Sequence, residues 1–111
     1  MSNRPNVLLL FSDEHRHDAM GCAGHERVKT PHLDALAENG TRFTQAFTPS
    51  PICVPARAAL ATGQYVHQNR CWSNAEAYSG DPVSWGHHLM EQGHRVDSIG
   101  KLHYRGGETD N

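Results

Sequence analysis

The chain has 111 residues, which is enough for one small domain. Hydrophobic residues make up 37% of it, below the usual share for a soluble globular domain, so only a modest core is expected. The formal net charge is −2 with acids and bases mixed along the chain, which excludes the basic stripe that binding to nucleic acid or an anionic membrane requires.

The sequence predicts strands that alternate with helices along the chain. Apolar or alternating runs predict strands at residues 6–11, 41–48 and 94–100. Helical spacing with Thr30 and Pro31 at one start, and Gly40, Gly63 and Gly93 as stops, predicts helices at residues 30–40, 55–62 and 83–92. Residues 64–82 read as a loop. This order predicts an α/β fold with a mainly parallel sheet flanked by helices, in which ligands bind beyond the carboxyl ends of the strands.

The cysteines and the N-terminus bear on the cellular compartment. Cys22, Cys53 and Cys71 are odd in number and form no Cys-x-x-Cys pair, which argues against a disulfide framework. The apolar run at residues 7–11 is short and no small-residue cleavage site follows it, so it is neither a signal peptide nor a membrane span. The sequence therefore predicts a cytoplasmic protein without a membrane partner, and it leaves the oligomeric state open.

The segment PICVPARAALATG, residues 51–63, places a cysteine just ahead of a predicted helix. Free N–H groups and the helix dipole favour negative charge at that position. Arg57 follows Cys53 by one helical turn on the same face, so the pair could form an anion pocket around a reactive atom. The plainer interpretation is a buried structural thiol. A cysteine-dependent phosphatase is excluded, because its loop needs a longer gap than the three residues found here.

Two further polar groups follow predicted strands. Asp13 lies in the acidic and histidine-rich stretch SDEHRHD, which could bind a cation, although a solvated loop is the simpler interpretation. The His-x-His-x-Asp-His pattern of the metallo-β-lactamase fold is not completed, since its Asp-His pair is missing. Lys101 and His103 would point the same way from an extended segment and could hold an anionic ester and its leaving group, unless they are surface decoration.

These segments together resemble the sulfatase family, within the alkaline-phosphatase-like α/β hydrolases. CVPARAALATG at residues 53–63 follows the family's Cys-x-Pro-x-Arg signature and its trailing Leu-x-Thr-Gly. The first strand with Asp13, TPHLDALAENGTRFTQAF at 30–47 and GKLH at 100–103 fall in the family's order, so the resemblance covers almost the whole chain. It implies that residues 1–111 are the N-terminal part of a sulfatase-like catalytic domain.

The resemblance also implies a mechanism for hydrolysis of a small sulfate ester. A formylglycine-generating enzyme would oxidise Cys53 to formylglycine, whose hydrate would attack the ester. Asp13 and the modified Cys53 would bind a divalent metal ion (Ca²⁺, Mg²⁺ or Mn²⁺). Arg57 would hold the hydrate and neutralise charge, while Lys101 and His103 would bind the sulfate or the formylglycine oxygens.

The sequence departs from the family pattern in two ways. Many members have a second aspartate after the first strand, where this chain has Glu14, and the family's later metal ligands and distal lysine have no counterpart within 111 residues. We therefore expect that these residues are not a complete enzyme. Two other functions stay open: a phosphonate monoester or phosphodiester hydrolase with the same machinery, and a non-catalytic metal- or anion-binding α/β module in which Cys53 remains a thiol.

Overall fold

The computed structural model describes residues 5–104, and the regular structure in this part of the chain is helical. Its elements are a 3₁₀ turn at Gly21–Ala23 and the helices α1 (Pro31–Asn39), α2 (Cys53–Thr62), α3 (Val66–Asn69) and α4 (Trp85–Glu91). The chain divides into two compact units, Met1–Gln45 and Ala46–Asn111. No helix among the described residues has both the length and the apolar character needed to cross a membrane.

Thr30 stands at the start of α1 as predicted, but its side chain does not cap the helix. Its hydroxyl oxygen accepts the Gly21 N–H at 2.9 Å, and the hydroxyl donates to Asp34 Oδ1 at 2.9 Å. Pro31 occupies the first turn, where its missing N–H costs nothing. The Thr30 hydroxyl therefore ties α1 to the preceding 3₁₀ turn.

Asp34 also binds the 3₁₀ turn through a short hydrogen bond. Its Oδ1 accepts the Cys22 N–H at 2.6 Å, and this hydrogen bond lowers the pKa of the Asp34 carboxyl from its ordinary value. Arg42 Nη1 donates to the Cys22 carbonyl at 2.6 Å, so both the N–H and the carbonyl of Cys22 are hydrogen-bonded to side chains. A Cβ at Gly21 would lie 2.3 Å from Asp34 Oδ2, so a larger residue there would displace the carboxylate that binds Cys22.

The core of the C-terminal unit forms on α2. Ala58 and Ala61 are almost fully buried, and their short side chains let neighbouring segments approach the helix backbone closely. Cys71 and Tyr78 pack in the same cluster. Both α3 and α4 contact α2, so this helix is the element around which the unit is built.

Tyr104 joins the far end of the described chain to this core. Its ring meets Tyr78 edge to face, with centroids 5.1 Å apart and planes at 79°, a preferred aromatic geometry. The two residues also form an isolated parallel β-bridge. The Tyr104 hydroxyl donates weakly to the Arg57 carbonyl at 3.5 Å. Residue 104 thus anchors on α2 the segment that carries Lys101 and His103.

The predicted parallel sheet is not confirmed, because residues 5–104 contain no β-strand. The segments 6–11, 41–48 and 94–100, which the sequence predicts as strands, are irregular here. A strand needs a neighbouring strand for its backbone hydrogen bonds, and an apolar strand needs both faces covered. Val7 is 90% exposed and Ile99 100% exposed, so this condition is not met at either place.

The helices were predicted at the right places but with shifted ends. α2 begins at Cys53 and not at residue 55, so Cys53 lies inside the first turn rather than ahead of it. α4 is shorter than the predicted 83–92, because Ser84 accepts the His87 N–H and acts as its N-cap. α3 falls in the predicted loop, since four residues are too few to show a helical period.

We expect Asp34→Ala to loosen the 3₁₀ turn, because the Cys22 N–H loses its acceptor. Hydrogen exchange at the Cys22 amide should become faster, while Asp34→Asn, which keeps an oxygen acceptor, should change it less. Since the folded pKa of Asp34 lies below the unfolded one, its stabilisation is complete above the unfolded pKa and is lost as pH falls through the folded pKa. Glu38→Ala on the same helix is the control. Unchanged exchange at Cys22 in Asp34→Ala would contradict this role.

Alkaline pH should destabilise the C-terminal unit. Burial raises the pKa of both Tyr78 and Tyr104, so their neutral forms are favoured in the folded state. The stabilisation is present below the unfolded pKa of about 10 and is lost as pH rises through the folded values. Thermal melts of the double variant Tyr78→Phe, Tyr104→Phe should depend less steeply on pH than those of the parent. Exposed Tyr65→Phe is the control, and an equally steep dependence in the double variant would refute the explanation.

Candidate active site

Cys53 is the first residue of α2 and is half-buried. The chain enters the helix through Ile52, which is extended (φ −109°) and has no polar side chain to cap the first turn. Pro55 in that turn has no N–H to satisfy. The thiol therefore stands at the positive end of the helix dipole, where an atom that gains negative charge is stabilised.

Arg57 lies one turn after Cys53 and is only 7% exposed. Its Nη1 donates to the backbone carbonyl of Lys101, 44 residues further along the chain. A buried guanidinium needs such partners, because removing a charge from water is costly unless hydrogen bonds compensate for it. This hydrogen bond brings Lys101 to α2. Cys53, Arg57 and Lys101, all predicted as site residues from the sequence, therefore belong to one local structure.

Lys101 and His103 are exposed and lie on an irregular segment. The predicted extended geometry is wrong, because Gly100 has φ 104° and His103 has φ 62°, both in the left-handed region. Two side chains on such a backbone do not follow the alternation of a strand. The hydrogen bond from Arg57 and the packing of Tyr104 hold this segment on either side of His103.

Asp13 and Glu14 belong to the N-terminal unit, whereas Cys53 belongs to the C-terminal unit. Both acidic residues are exposed, and Glu14 adopts φ 58°, a conformation that non-glycine residues rarely take. The roles predicted for Asp13, Cys53, Arg57, Lys101 and His103 in catalysis and metal binding stay predictions.

The described residues offer few donor groups to a metal ion. Among residues 5–104, no group of three or more histidine, cysteine, aspartate or glutamate residues is placed to hold a metal ion. A hard divalent cation needs about six oxygen ligands, which is more than the Asp13 carboxylate supplies. The described residues therefore do not make up a complete metal site.

Two residues near Cys53 and Arg57 were missed in the sequence. Asn74 Oδ1 accepts the Val54 N–H at 3.0 Å, next to Cys53 in the chain. Tyr104 packs on Tyr78 beneath the Lys101 segment. One feature of the sequence bears on Asn74. The helix begins after Ile52, which has no polar side chain, so its first-turn N–H groups need acceptors from elsewhere.

Comparison with known proteins gave consistent matches. The sulfatase family model matches residues 5–109. An ulvan-active sulfatase from Formosa agariphila is 38% identical over 105 residues, covering 95% of this chain and 21% of the relative. An N-acetylglucosamine-6-O-sulfatase from Bacteroides thetaiotaomicron is 32% identical over 92% of this chain and 18% of the relative, and an arylsulfatase K from Danio rerio is 33% identical over 95% and 20%. No solved structure gave a significant match.

The family match covers the helix that begins at Cys53 and the segment with Lys101, and it extends over nearly all of the chain. The chain spans about a fifth of the length of these curated relatives. Because the sulfatase family model matches residues 5–109 and several sulfatases are more than 30% identical to it, the chain belongs to the sulfatase family.

Proposed function

We propose that this chain is part of an enzyme that hydrolyses sulfate esters, with residue 53 as the nucleophile after its conversion to formylglycine. The observation that carries the proposal is the placement of Cys53 at the start of α2, one turn before a buried arginine that binds the Lys101 segment. Family membership and the names of the relatives support sulfate esters as the substrate class.

The start of α2 suits a nucleophile that attacks an anionic ester. After conversion to formylglycine, residue 53 would carry a hydrated aldehyde. One hydroxyl oxygen of this hydrate would attack the sulfur of the ester. The N-terminal end of α2 would stabilise the negative charge that develops on the ester oxygens. The proposal includes a formylglycine-generating enzyme as a partner and a divalent cation with Asp13 among its ligands.

Arg57 has a second part in this proposal. Because its guanidinium donates to the Lys101 carbonyl, it fixes the backbone from which Lys101 and His103 project. The Lys101 ammonium would then hold the sulfate group, and the His103 imidazole would hold or move a proton on the leaving-group oxygen. A preorganised cation is worth more than a mobile one, because it needs no reorganisation during the reaction.

The choice between sulfur and phosphorus esters can be tested directly. A matched series of aryl sulfate, aryl phosphonate and phosphodiester substrates, assayed with the same protein preparation, gives kcat/KM for each class. We expect the aryl sulfate to be the best substrate. A phosphonate or phosphodiester that is turned over more efficiently would assign the same machinery to phosphorus instead.

Cys53 should be the cysteine that is modified. Trypsin places the three cysteines on separate peptides, and Cys53 lies on residues 43–57. After co-expression with a formylglycine-generating enzyme, this peptide alone should show the mass loss expected when CH₂–SH becomes CHO. Cys53→Ala should abolish turnover, while Cys22→Ala should retain it. Full activity in Cys53→Ala would disprove the mechanism.

Lys101→Ala should lower kcat/KM for an aryl sulfate by about 10²-fold or more, as removal of other preorganised charge stabilisers does. The backbone carbonyl that Arg57 binds remains in this variant, so the fold should be preserved. His103→Asn is the matched change at the second position, because asparagine tolerates the left-handed backbone. Lys29→Ala, in the other unit, is the control. Near-normal kinetics in both Lys101→Ala and His103→Asn would show that neither side chain binds the ester.

A further inference from the structure

The start of α2 lacks a local cap. Ile52 offers no side-chain acceptor, Pro55 has no N–H, and the Ala56 N–H is bonded to the Ile52 carbonyl at 3.0 Å. The N–H groups of Cys53 and Val54 therefore have no acceptor within the helix, and that of Val54, directly after Cys53, is the one beside a buried side chain. Val54 is 1% exposed, so an unpaired N–H there would be costly.

Asn74 supplies that acceptor from 20 residues further along the chain. Its Oδ1 accepts the Val54 N–H at 3.0 Å. The assignment of the amide oxygen follows from chemistry, since the backbone N–H is a donor and only the oxygen of the side-chain amide can accept. The contact joins the loop before Tyr78 to the turn that holds Cys53.

The acceptor is neutral, and this has a chemical consequence. Asparagine and aspartate cap helices about equally well, so stability alone does not favour one of them. An aspartate, however, would place a full negative charge beside residue 53, against both the helix dipole and an incoming anionic ester. A neutral oxygen fixes the backbone and leaves the positive potential of the helix end in place.

We propose that Asn74 is a positioning residue, which holds the backbone at residue 53 with an uncharged cap and so keeps that helix end attractive to anions. The consequence for catalysis rests on the proposed function, whereas the placement and the potential do not. The variants Asn74→Ala and Asn74→Asp separate the two effects, since the first removes the acceptor and the second keeps it but adds charge. Asn39→Asp, an exposed site on α1, is the matched charge control.

Hydrogen exchange at the Val54 amide tests the cap. Asn74→Ala should speed it about fivefold, the change in local opening expected for loss of a helix cap. Asn74→Asp and Asn39→Asp should keep the rate of the parent. Equal Val54 exchange in Asn74→Ala and the parent would overturn the proposal.

Alkylation tests the potential in protein that mass spectrometry shows to retain the Cys53 thiol. The rate ratio of anionic iodoacetate to neutral iodoacetamide at Cys53, referred to the same ratio at Cys22, reports the local charge. Asn74→Asp should lower it about fivefold at low salt, and less at high salt. Asn39→Asp should leave it unchanged. An unchanged ratio in Asn74→Asp would mean that charge at position 74 does not reach residue 53, and that result would also overturn the proposal.

Turnover then tests the link to catalysis in the formylglycine form. Asn74→Asp should keep the unfolding transition of the parent and lose about tenfold in kcat/KM for an aryl sulfate, as expected for a misplaced charge. Retained kcat/KM would refute the catalytic part. If the complete enzyme of which this chain is part hydrolyses no ester with the parent sequence, the proposed function fails, and exchange and alkylation still decide the role of Asn74.

Discussion

The hydrogen bond from the buried Arg57 guanidinium to the Lys101 carbonyl is the contact on which the candidate site depends. It links the helix that begins at Cys53 to an irregular segment 44 residues further along the chain. Together with the packing of Tyr104, it holds the backbone that carries the exposed side chains of Lys101 and His103. Arg57 therefore matters for where other groups lie as much as for its own charge.

Other long-range contacts also hold loops against α2. Asn74 reaches the Val54 amide at one end of the helix, and Tyr104 reaches the Arg57 carbonyl and the Tyr78 ring further along. Each contact brings a loop to a helix whose buried residues include Ala58, Ala59 and Ala61, so the loops can approach its backbone closely. With a core this small, specific hydrogen bonds take over part of the positioning that apolar packing provides in larger domains.

Short-range features of the chain could be predicted from the sequence. The spacing of Cys53 and Arg57, the entry of α1 at Pro31 and the end of α2 at Gly63 depend on residues within one or two turns of one another. Family membership followed from the motif around Cys53 and was confirmed by the comparisons. It implies an alkaline-phosphatase-like fold, although residues 5–104 do not form its parallel sheet.

Features set by distant residues could not be predicted. Nothing near Asn74 signals that it caps a helix 20 residues earlier, and nothing near Lys101 signals that its carbonyl is bound by Arg57. The strands predicted at residues 6–11 and 94–100 are not observed for the same reason. Apolar character alone does not provide the neighbouring strand with which a strand forms its backbone hydrogen bonds. The left-handed His103 likewise depends on contacts on both sides of it.

The most direct test of this account is the rate at which a lysine-specific endoproteinase cleaves after Lys101. The chain has two lysines, so cleavage after Lys29 serves as the internal reference in every sample. Arg57→Met keeps a buried stem of similar length but cannot donate to the Lys101 carbonyl. We predict that it speeds cleavage after Lys101 by about tenfold, as expected for loss of a hydrogen bond to a charged group, with no change at Lys29. Equal rates after Lys101 in the parent and in Arg57→Met would contradict the account.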